Sequence, residues 1–234
     1  MIEFTVKHSA LTCQWGLKDT FIPLPEPGDP EFADLYRNLR PFQVAFGSIS
    51  FKPDAETLAD ERMVISLLNN RLTLRLAYGG FDFLLNGMNE GEESLVSDLI
   101  QAIHPVLLSL GGNLAEGQVR FVYEAFFKLN EMSIEEFLGQ YLPARSDTAQ
   151  LLPDTLAYQV VLREGQTTPQ VRFLMARSNA SGFPGTLYTH ITFDYTEIGD
   201  IDRFMAQVTD DWHQTMASLN LKLNNLEDEE HAAT

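Results

Sequence analysis

The sequence predicts an α+β protein built from two topological pseudo-repeats. Each pseudo-repeat is a four-stranded antiparallel meander followed by a helix, and the helices pack on one face of the sheet or sheets. Runs of alternating polar and apolar residues recur over residues 42–86 and 118–195, as expected for strands covered on one side. Each group of runs is followed by apolar residues at helical spacing. Strands that come consecutively before a helix form antiparallel sheets, which argues against a doubly wound nucleotide-binding fold.

The first 41 residues are predicted to hold an N-terminal strand, a proline-rich loop and a short helix. The strand is read from IEFTV and LTCQW, and LPEPGDPEF at 24–32 places three prolines and a glycine in a loop. EFADLYRNL then has helical character and ends before Pro41. We expect this segment to precede a single compact domain over residues 42–226.

Residues 42–112 form the predicted first half. FQVAFGSISF at 42–51 alternates as a strand does, and MVISLL, RLTLRLAY and FDFLLNGM continue the meander. The pairs Asn69-Asn70 and Gly79-Gly80 suit two-residue hairpin turns, because these residues tolerate positive φ. A helix follows, with Pro105 inside it and two glycines after it.

Residues 113–226 form the predicted second half. QVRFVYEAFFKL is read as a strand, and Ser133 and Glu136 form a capping box for a short helix. LAYQVVLRE, PQVRFLMAR and LYTHITFDY give three more strands. A closing helix has apolar residues three or four positions apart, and residues 227–234 are an acidic tail. The apolar residues of this helix are Ile201, Phe204, Met205, Val208, Trp212, Met216, Leu219 and Leu223.

Composition limits the possible partners and compartments. Sixteen Lys and Arg against 33 Asp and Glu give a formal net charge of −17, which disfavours direct binding to nucleic acid, because that affinity comes from cations that neutralise phosphates. Cys13 is the only cysteine, which excludes an intramolecular disulfide and favours a reducing cytoplasm. No export signal and no apolar run of about 18 residues occurs, so we expect a cytoplasmic protein without a membrane span.

The negative charge is concentrated near the C-terminus. Residues 194–230 contain ten acidic residues against Arg203 and Lys222. One interpretation is a solvated helix face and an acidic tail that aid solubility. The alternative is a docking surface for a basic protein, with Asp202, Asp210 and Asp211 as contact residues.

The row Tyr188, His190, Thr192 and Asp194 shares one face of the strand YTHITFDY. His190 and Asp194 are four residues apart, roughly 13 Å along a strand, which is too far for a hydrogen bond or a shared metal ion. The row is interpreted first as a solvent-facing surface, second as a ligand-binding face formed by Tyr188, His190 and Asp194, and third as a catalytic site.

Two further features were weighed as binding sites. In DDWHQ, Asp210 and His213 are helical neighbours, but Trp212 faces the core, so we expect both acidic residues and the histidine to face water and predict no metal site. The loop at 177–185 is longer than a hairpin needs, and Phe183 at its tip is predicted to be an exposed anchor for a partner protein, or else part of a plain connection.

Arg71, Thr73 and Arg75 share a strand face and form a small basic strip that suits an anion or solvent. No P-loop, glycine-rich dinucleotide motif, zinc-protease helix, nucleophile elbow or EF-hand loop occurs. The sequence therefore predicts no cofactor and no catalytic residue, and it favours a non-enzymatic protein over an enzyme.

Three segments carry a resemblance to a sporadically distributed family of uncharacterised bacterial proteins of about this length. They are RLTLRLAYGGFDFLLNG continuing into ESLVSDLIQAIHPVLLSLG, then VRFVYEAFFKLNEMSIEEFLGQYL, then LYTHITFDYTEIGDIDRFMAQVTDDWHQTM. In the last segment the family pattern is a strand that ends in an aspartate, here Asp194, and a helix with a histidine, here His213. The resemblance implies a bacterial or phage origin and no particular activity. The topology is also similar to that of the SecB-type chaperone subunit, by analogy of fold alone.

Three functions remain as expectations. The first is a non-enzymatic cytoplasmic protein that binds another protein, as an adaptor, a chaperone-like module or an inhibitor. The second is an acidic decoy or immunity-type inhibitor of a basic nucleic-acid-binding protein. The third is a small-ligand binder or enzyme that uses the 188–194 strand face. An edge strand of either half is also suited to pair with another copy of the chain.

Overall fold

The computed structural model describes residues 4–18, 21–52, 62–88, 92–130, 132–140, 155–161, 170–196 and 198–218. The strands are β1 Phe4–Gly16, β2 Ile49–Lys52, β3 Arg62–Leu67, β4 Leu72–Ala77, β5 Gly80–Asn86, β6 Gln118–Leu129, β7 Thr155–Val161, β8 Gln170–Arg177 and β9 Leu187–Tyr195. The α-helices are α1 Pro30–Asn38, α2 Glu93–Ser109, α3 Ile134–Gly139 and α4 Ile201–Ser218. None of the helices described is both long and apolar enough to cross a membrane.

The nine strands form one sheet in the order β2-β3-β4-β5-β1-β6-β9-β8-β7. Every neighbouring pair is antiparallel, which confirms the α+β class with an antiparallel sheet. The N-terminal strand β1 is the central strand: it pairs with β5 on one side and along its whole length with β6 on the other.

The predicted pair of four-stranded meanders is not confirmed, because β6 pairs with β9 and not with β7. The same series of elements nevertheless occurs twice: a long strand, a short helix, a three-stranded meander and a long helix. In each series the last strand of the meander pairs with the long strand. The strand β1 and the helix α1 of the first series thus correspond to β6 and α3 of the second. The strand β2 has no counterpart among the described residues and lies at the edge of the sheet.

One face of the sheet is the core. Alternate residues of the strands are buried on this face, among them Cys13 and Trp15 of β1, because successive side chains of a strand point to opposite sides. The helix α4 packs here through Phe204 and Trp212, whose rings meet Trp15 and Tyr123 edge-on, with centroids 5.6 Å and 4.6 Å apart. Val96 of α2 lines a small apolar cavity with residues of α4 and the sheet, so both long helices cover the same face.

Three local predictions are corrected by the structure. Residues 42–48 are not a strand: Gln43 is left-handed, with a φ of 58°, after a 3₁₀ turn at Arg40–Phe42, and only Ile49–Lys52 pairs with β3. The turn between β4 and β5 is Tyr78-Gly79, because Ala77 pairs with Gly80. The preceding hairpin closes through a longer loop in which residues 68–70 all have positive φ.

The helix predictions agree better with the structure. Ser133 and Glu136 form the predicted capping box, with reciprocal bonds of 3.2 Å and 2.9 Å at the start of α3. Pro105 lies inside α2. The predicted stripe of α4 is buried at Ile201, Phe204, Met205, Trp212 and Met216, whereas its last predicted residues and the acidic tail lie outside the described residues.

A candidate binding surface on the open face of the sheet

The face opposite the helices is here called the open face. It consists of the outward side chains of β3, β4, β5, β1, β6, β9 and β8, and nearly all of them are half-buried or exposed. No described helix lies on it. Its charged side chains are the basic residues Arg62, Arg75, Arg120, Lys128 and Arg172 and the acidic residues Asp82, Glu124 and Asp194. The open face therefore has a formal net charge of +2 on a chain whose net charge is −17.

The strand β9 contributes the row that the sequence analysis singled out. Tyr188, His190 and Asp194 lie on the open face, opposite Phe126, Glu124 and Arg120 of β6. His190 and Asp194 do not bond each other, as expected from their spacing. Instead they belong to two separate polar groups on the same strand.

The first group joins Tyr188, Glu124, His190 and Thr192. The Tyr188 hydroxyl donates to Glu124 Oε1 at 2.5 Å, and His190 Nδ1 lies 3.1 Å from the same oxygen. Thr192 Oγ1 lies 3.2 Å from His190 Nε2. This geometry fits the tautomer in which Nδ1–H donates to the carboxylate and Nε2 accepts from the threonine.

The Tyr188 hydroxyl bond is the main cause that lowers the pKa of Glu124, with smaller contributions from His190 and His8, while partial desolvation opposes them. Desolvation and the neighbouring carboxylate together raise the pKa of Tyr188. Tyr188 therefore stays protonated and Glu124 stays ionised over the physiological range of pH. The hydrogen bond between Tyr188 and Glu124 is therefore a stable donor–acceptor pair, and neither side chain changes its protonation state in this range.

The hydrogen-bond order Thr192, His190, Glu124 matches that of a nucleophile, a general base and an orienting carboxylate. Acyl transfer also needs donors for the developing oxyanion, and backbone N–H groups usually supply them. Thr192 lies in an interior strand and pairs with Val122 on one side and Arg172 on the other. Its backbone polar groups therefore point along the sheet and not out of the face, so the group is better suited to binding than to catalysis.

The second group joins Arg120, Asp194 and Arg172. Arg120 Nε contacts Asp194 Oδ1 and an Nη atom of Arg172 contacts Oδ2, both at 2.5 Å. The side chains of Arg120 and Arg172 are about half exposed, at 50% and 48%, whereas the Asp194 side chain is 21% exposed. They line an open cavity of about 650 Å³, together with Gln14 and Gln118. Two cations share one anion, so this group has a net positive charge.

Neither arginine was predicted from the sequence to be a site residue. A signal was present, because the tripeptide Val-Arg-Phe occurs at 119–121 and again at 171–173. In each copy the valine faces the core, which directs the arginine to the open face. The pattern does not reveal that β9 lies between the two copies and that its Asp194 meets both arginines.

The predicted basic strip of β4 is divided between two ion pairs. Arg75 Nε donates to Asp82, its cross-strand neighbour. Arg71 turns away to Glu92 Oε2 at 2.7 Å and to the Gly87 carbonyl at 2.8 Å. Each cation has its own acceptors, so this strip offers less unbalanced charge than the group around Asp194.

The acidic docking surface predicted on α4 is only partly present among the described residues. Asp211 was expected to face water, but it is fully buried and accepts a hydrogen bond of 3.1 Å from the Tyr195 hydroxyl. Asp200 accepts from the Arg203 amide at 2.9 Å and caps α4. Asp202 and Asp210 are exposed as predicted. The buried Asp211 leaves two separate carboxylates on this helix face.

Phe183 was predicted to be an exposed anchor at the tip of the loop, but in the structure it packs against other aromatic rings. Its ring stacks on Phe126, with centroids 4.6 Å apart, and on His8, at 5.6 Å. The Thr186 hydroxyl donates to the Phe183 carbonyl at 2.8 Å and holds the loop in this position. The loop therefore closes one end of the open face, next to Tyr188.

Metal ligation finds no support in the part of the chain that the structure describes, where no three His, Cys, Asp or Glu side chains come together. Cys13 is buried and is not available as a surface ligand. No protein-family model matches the chain, and no curated protein is significantly similar to it.

Replacing Tyr188 by Phe is expected to raise the pKa of Glu124 toward its ordinary value. The folded state favours the ionised carboxylate, so this contribution to stability is present above the ordinary pKa and is lost as the pH falls through the lowered value. Carbon NMR titration of the glutamate carboxyl groups measures the shift. Glu136, whose pKa is lowered by Ser133 in α3, is the internal control and should not move; an unchanged Glu124 titration would contradict the assigned cause.

Proposed function

We propose that the protein is a non-enzymatic binding module that holds a segment of another protein on the open face of its sheet. The observation that carries this proposal is the net positive charge of a sheet face that no described helix covers, on a chain of net charge −17. Exposed surface that differs in charge from the rest of the molecule selects partners by electrostatic complementarity. The partner segment is therefore acidic.

An acidic partner differs from the basic partner expected for α4. The decoy hypothesis needs a continuous acidic surface, whereas Asp211 is buried and Asp202 accepts from Gln101 at 3.2 Å. The open face has instead an excess of cations and two polar groups with fixed geometry. We further propose that binding occurs in the cytoplasm of a bacterial or phage-infected cell, as the single cysteine and the family resemblance imply, and that nucleic acid is not the direct partner.

The test compares two surfaces of the same molecule by affinity capture from host cells. One variant carries Thr12→Glu in the centre of the open face, and the other carries Asp202→Lys with Asp210→Lys on α4. Because like charges across an interface cost several kcal/mol, we expect Thr12→Glu to reduce capture of the partner by at least about tenfold. The α4 variant should retain it, and added salt should weaken it.

Circular dichroism and the unfolding midpoint show whether each variant is folded. A partner lost with the α4 variant and retained with Thr12→Glu would overturn the proposal and favour a basic partner. No partner above background for the parent protein, at any salt concentration, would also overturn it.

A further inference from the structure

We infer that the cavity between Arg120 and Arg172 is a carboxylate-binding site that anchors an aspartate or glutamate side chain of the partner segment. This inference rests on the proposed function, because it assigns the anchor point of the same open face. It also goes further, since it names the group that is recognised and the two residues that recognise it.

Arg120 and Arg172 have hydrogen-bond donors that Asp194 does not use. An arginine carries five N–H groups in a planar fork. Of the contacts that the described residues make, each guanidinium has one, to a single oxygen of Asp194. Both arginine side chains are about half exposed and line the cavity, so N–H groups that Asp194 does not use are available to a ligand there.

The two cations are held in fixed positions by Asp194. Binding to opposite oxygens of the same carboxylate holds the two guanidinium groups close together and limits their rotation. Gln14, the cross-strand neighbour of Arg120, adds an amide at the wall of the cavity. A ligand anion at this point meets donors that are already oriented, which lowers the entropy lost on binding.

The charge of the group suits a carboxylate better than a phosphate. With Asp194 in place, the charge of the group is +1, which one carboxylate neutralises. A phosphate monoester carries about −1.5 to −2 at neutral pH, which exceeds the +1 of the group and leaves negative charge uncompensated beside Asp194. Phosphate sites are often built from converging backbone N–H groups, whereas the strands here use theirs to pair within the sheet.

The matching half of the sheet shows what distinguishes this site. Arg75 lies on the same face and is 39% exposed, but it has Asp82 to itself. That pair is neutral, so it lacks the excess cation. Arg75 is therefore the control position for a general effect of charge on the open face.

Fluorescence anisotropy with a labelled hexaglutamate peptide tests the site directly, with hexaglutamine as the uncharged control. Arg120→Gln and Arg172→Gln should each weaken hexaglutamate binding at least about tenfold, because a hydrogen bond to a charged group is typically worth that much. Arg75→Gln should change it less than about threefold, as expected for the loss of one distant surface charge.

Three results would overturn the inference. The first is that hexaglutamate does not bind, and the second is that Arg75→Gln weakens binding as much as Arg120→Gln and Arg172→Gln do. The third is that a peptide with phosphoserine in place of glutamate binds more tightly, which would assign the site to phosphate. If the Gln variants lower the unfolding midpoint, Arg120→Lys and Arg172→Lys are used in their place, because lysine keeps the charge and lacks the planar fork. Hexaglutamate binding that is retained in the Lys variants would also contradict the assignment.

Failure of the inference is distinguishable from failure of the proposed function. If the captured partner binds the Arg120 and Arg172 variants as tightly as the parent protein but is lost with Thr12→Glu, the open face is the interface and the anchor lies elsewhere. If hexaglutamate binds through the two arginines but no protein is captured, the carboxylate site stands and the partner is a small acid.

Discussion

Replacing Gly80 by Ala is expected to destabilise the protein by about 3 kcal/mol or more, as the sum of steric overlap and backbone strain. A Cβ atom at Gly80 would lie 2.0 Å from the Trp15 carbonyl oxygen of the neighbouring strand, and Gly80 has a φ of +145°. Backbone of β1 cannot move aside without breaking the pairing of β1 with β5 and β6, so the strain spreads to the centre of the sheet.

The adjacent Gly79 provides the control. A Cβ atom there meets nothing within 4 Å, and its φ is not in the positive range. Urea unfolding followed by circular dichroism should show a large fall in the unfolding free energy for Gly80→Ala and a change below about 0.5 kcal/mol for Gly79→Ala. Equal effects of the two substitutions would contradict the close approach of Gly80 to β1.

Replacing Trp212 by Ala is expected to cost about 3–5 kcal/mol, the usual range for a large aromatic residue in a core. Trp212 is 8% exposed and meets the ring of Tyr123 edge-on. It also lines the small apolar cavity between α2, α4 and the sheet, so its loss enlarges an existing space that the neighbouring side chains do not fill.

His213 is the matched control for Trp212, because it is the next residue and is exposed. His213→Ala should leave the unfolding midpoint within the scatter of repeated measurements, whereas Trp212→Ala should lower it strongly. The same experiment on binding is informative: Trp212 lies on the core side, so a folded Trp212→Ala protein at low temperature should still bind hexaglutamate. Loss of peptide binding without loss of folding would place the binding surface on the helical side.

Periodicity predicted the local structure well where one face of an element is buried. The alternation in YTHITFDY placed Tyr188, His190 and Asp194 on one side of β9, and the three-and-four spacing in α4 identified Trp212 as a core residue. Both patterns arise from the geometry of a single element, so they are visible without knowledge of its neighbours.

What the sequence did not reveal depends on which elements meet. Arg120 and Asp194 are 74 positions apart, and no local pattern specifies that β6 lies beside β9. Asp211 is a second case: its charge suggested solvent, but Tyr195 supplies a donor for it inside the core. Phe183 is a third, since only the folded loop brings it onto Phe126.

The central place of β1 has a consequence for how the chain assembles during synthesis. The described strands of the first half, β1 to β5, are complete once residue 86 has been made, and β1 is then the edge of that partial sheet. The edge of β1 that pairs with β6 remains unpaired until residues 118–129 have been made. Until then the N–H and C=O groups of a long edge strand are exposed to other chains. In that interval the unpaired side of β1 is accessible to the β6 of a second molecule, so we expect misassembled protein to contain dimers that have exchanged whole halves.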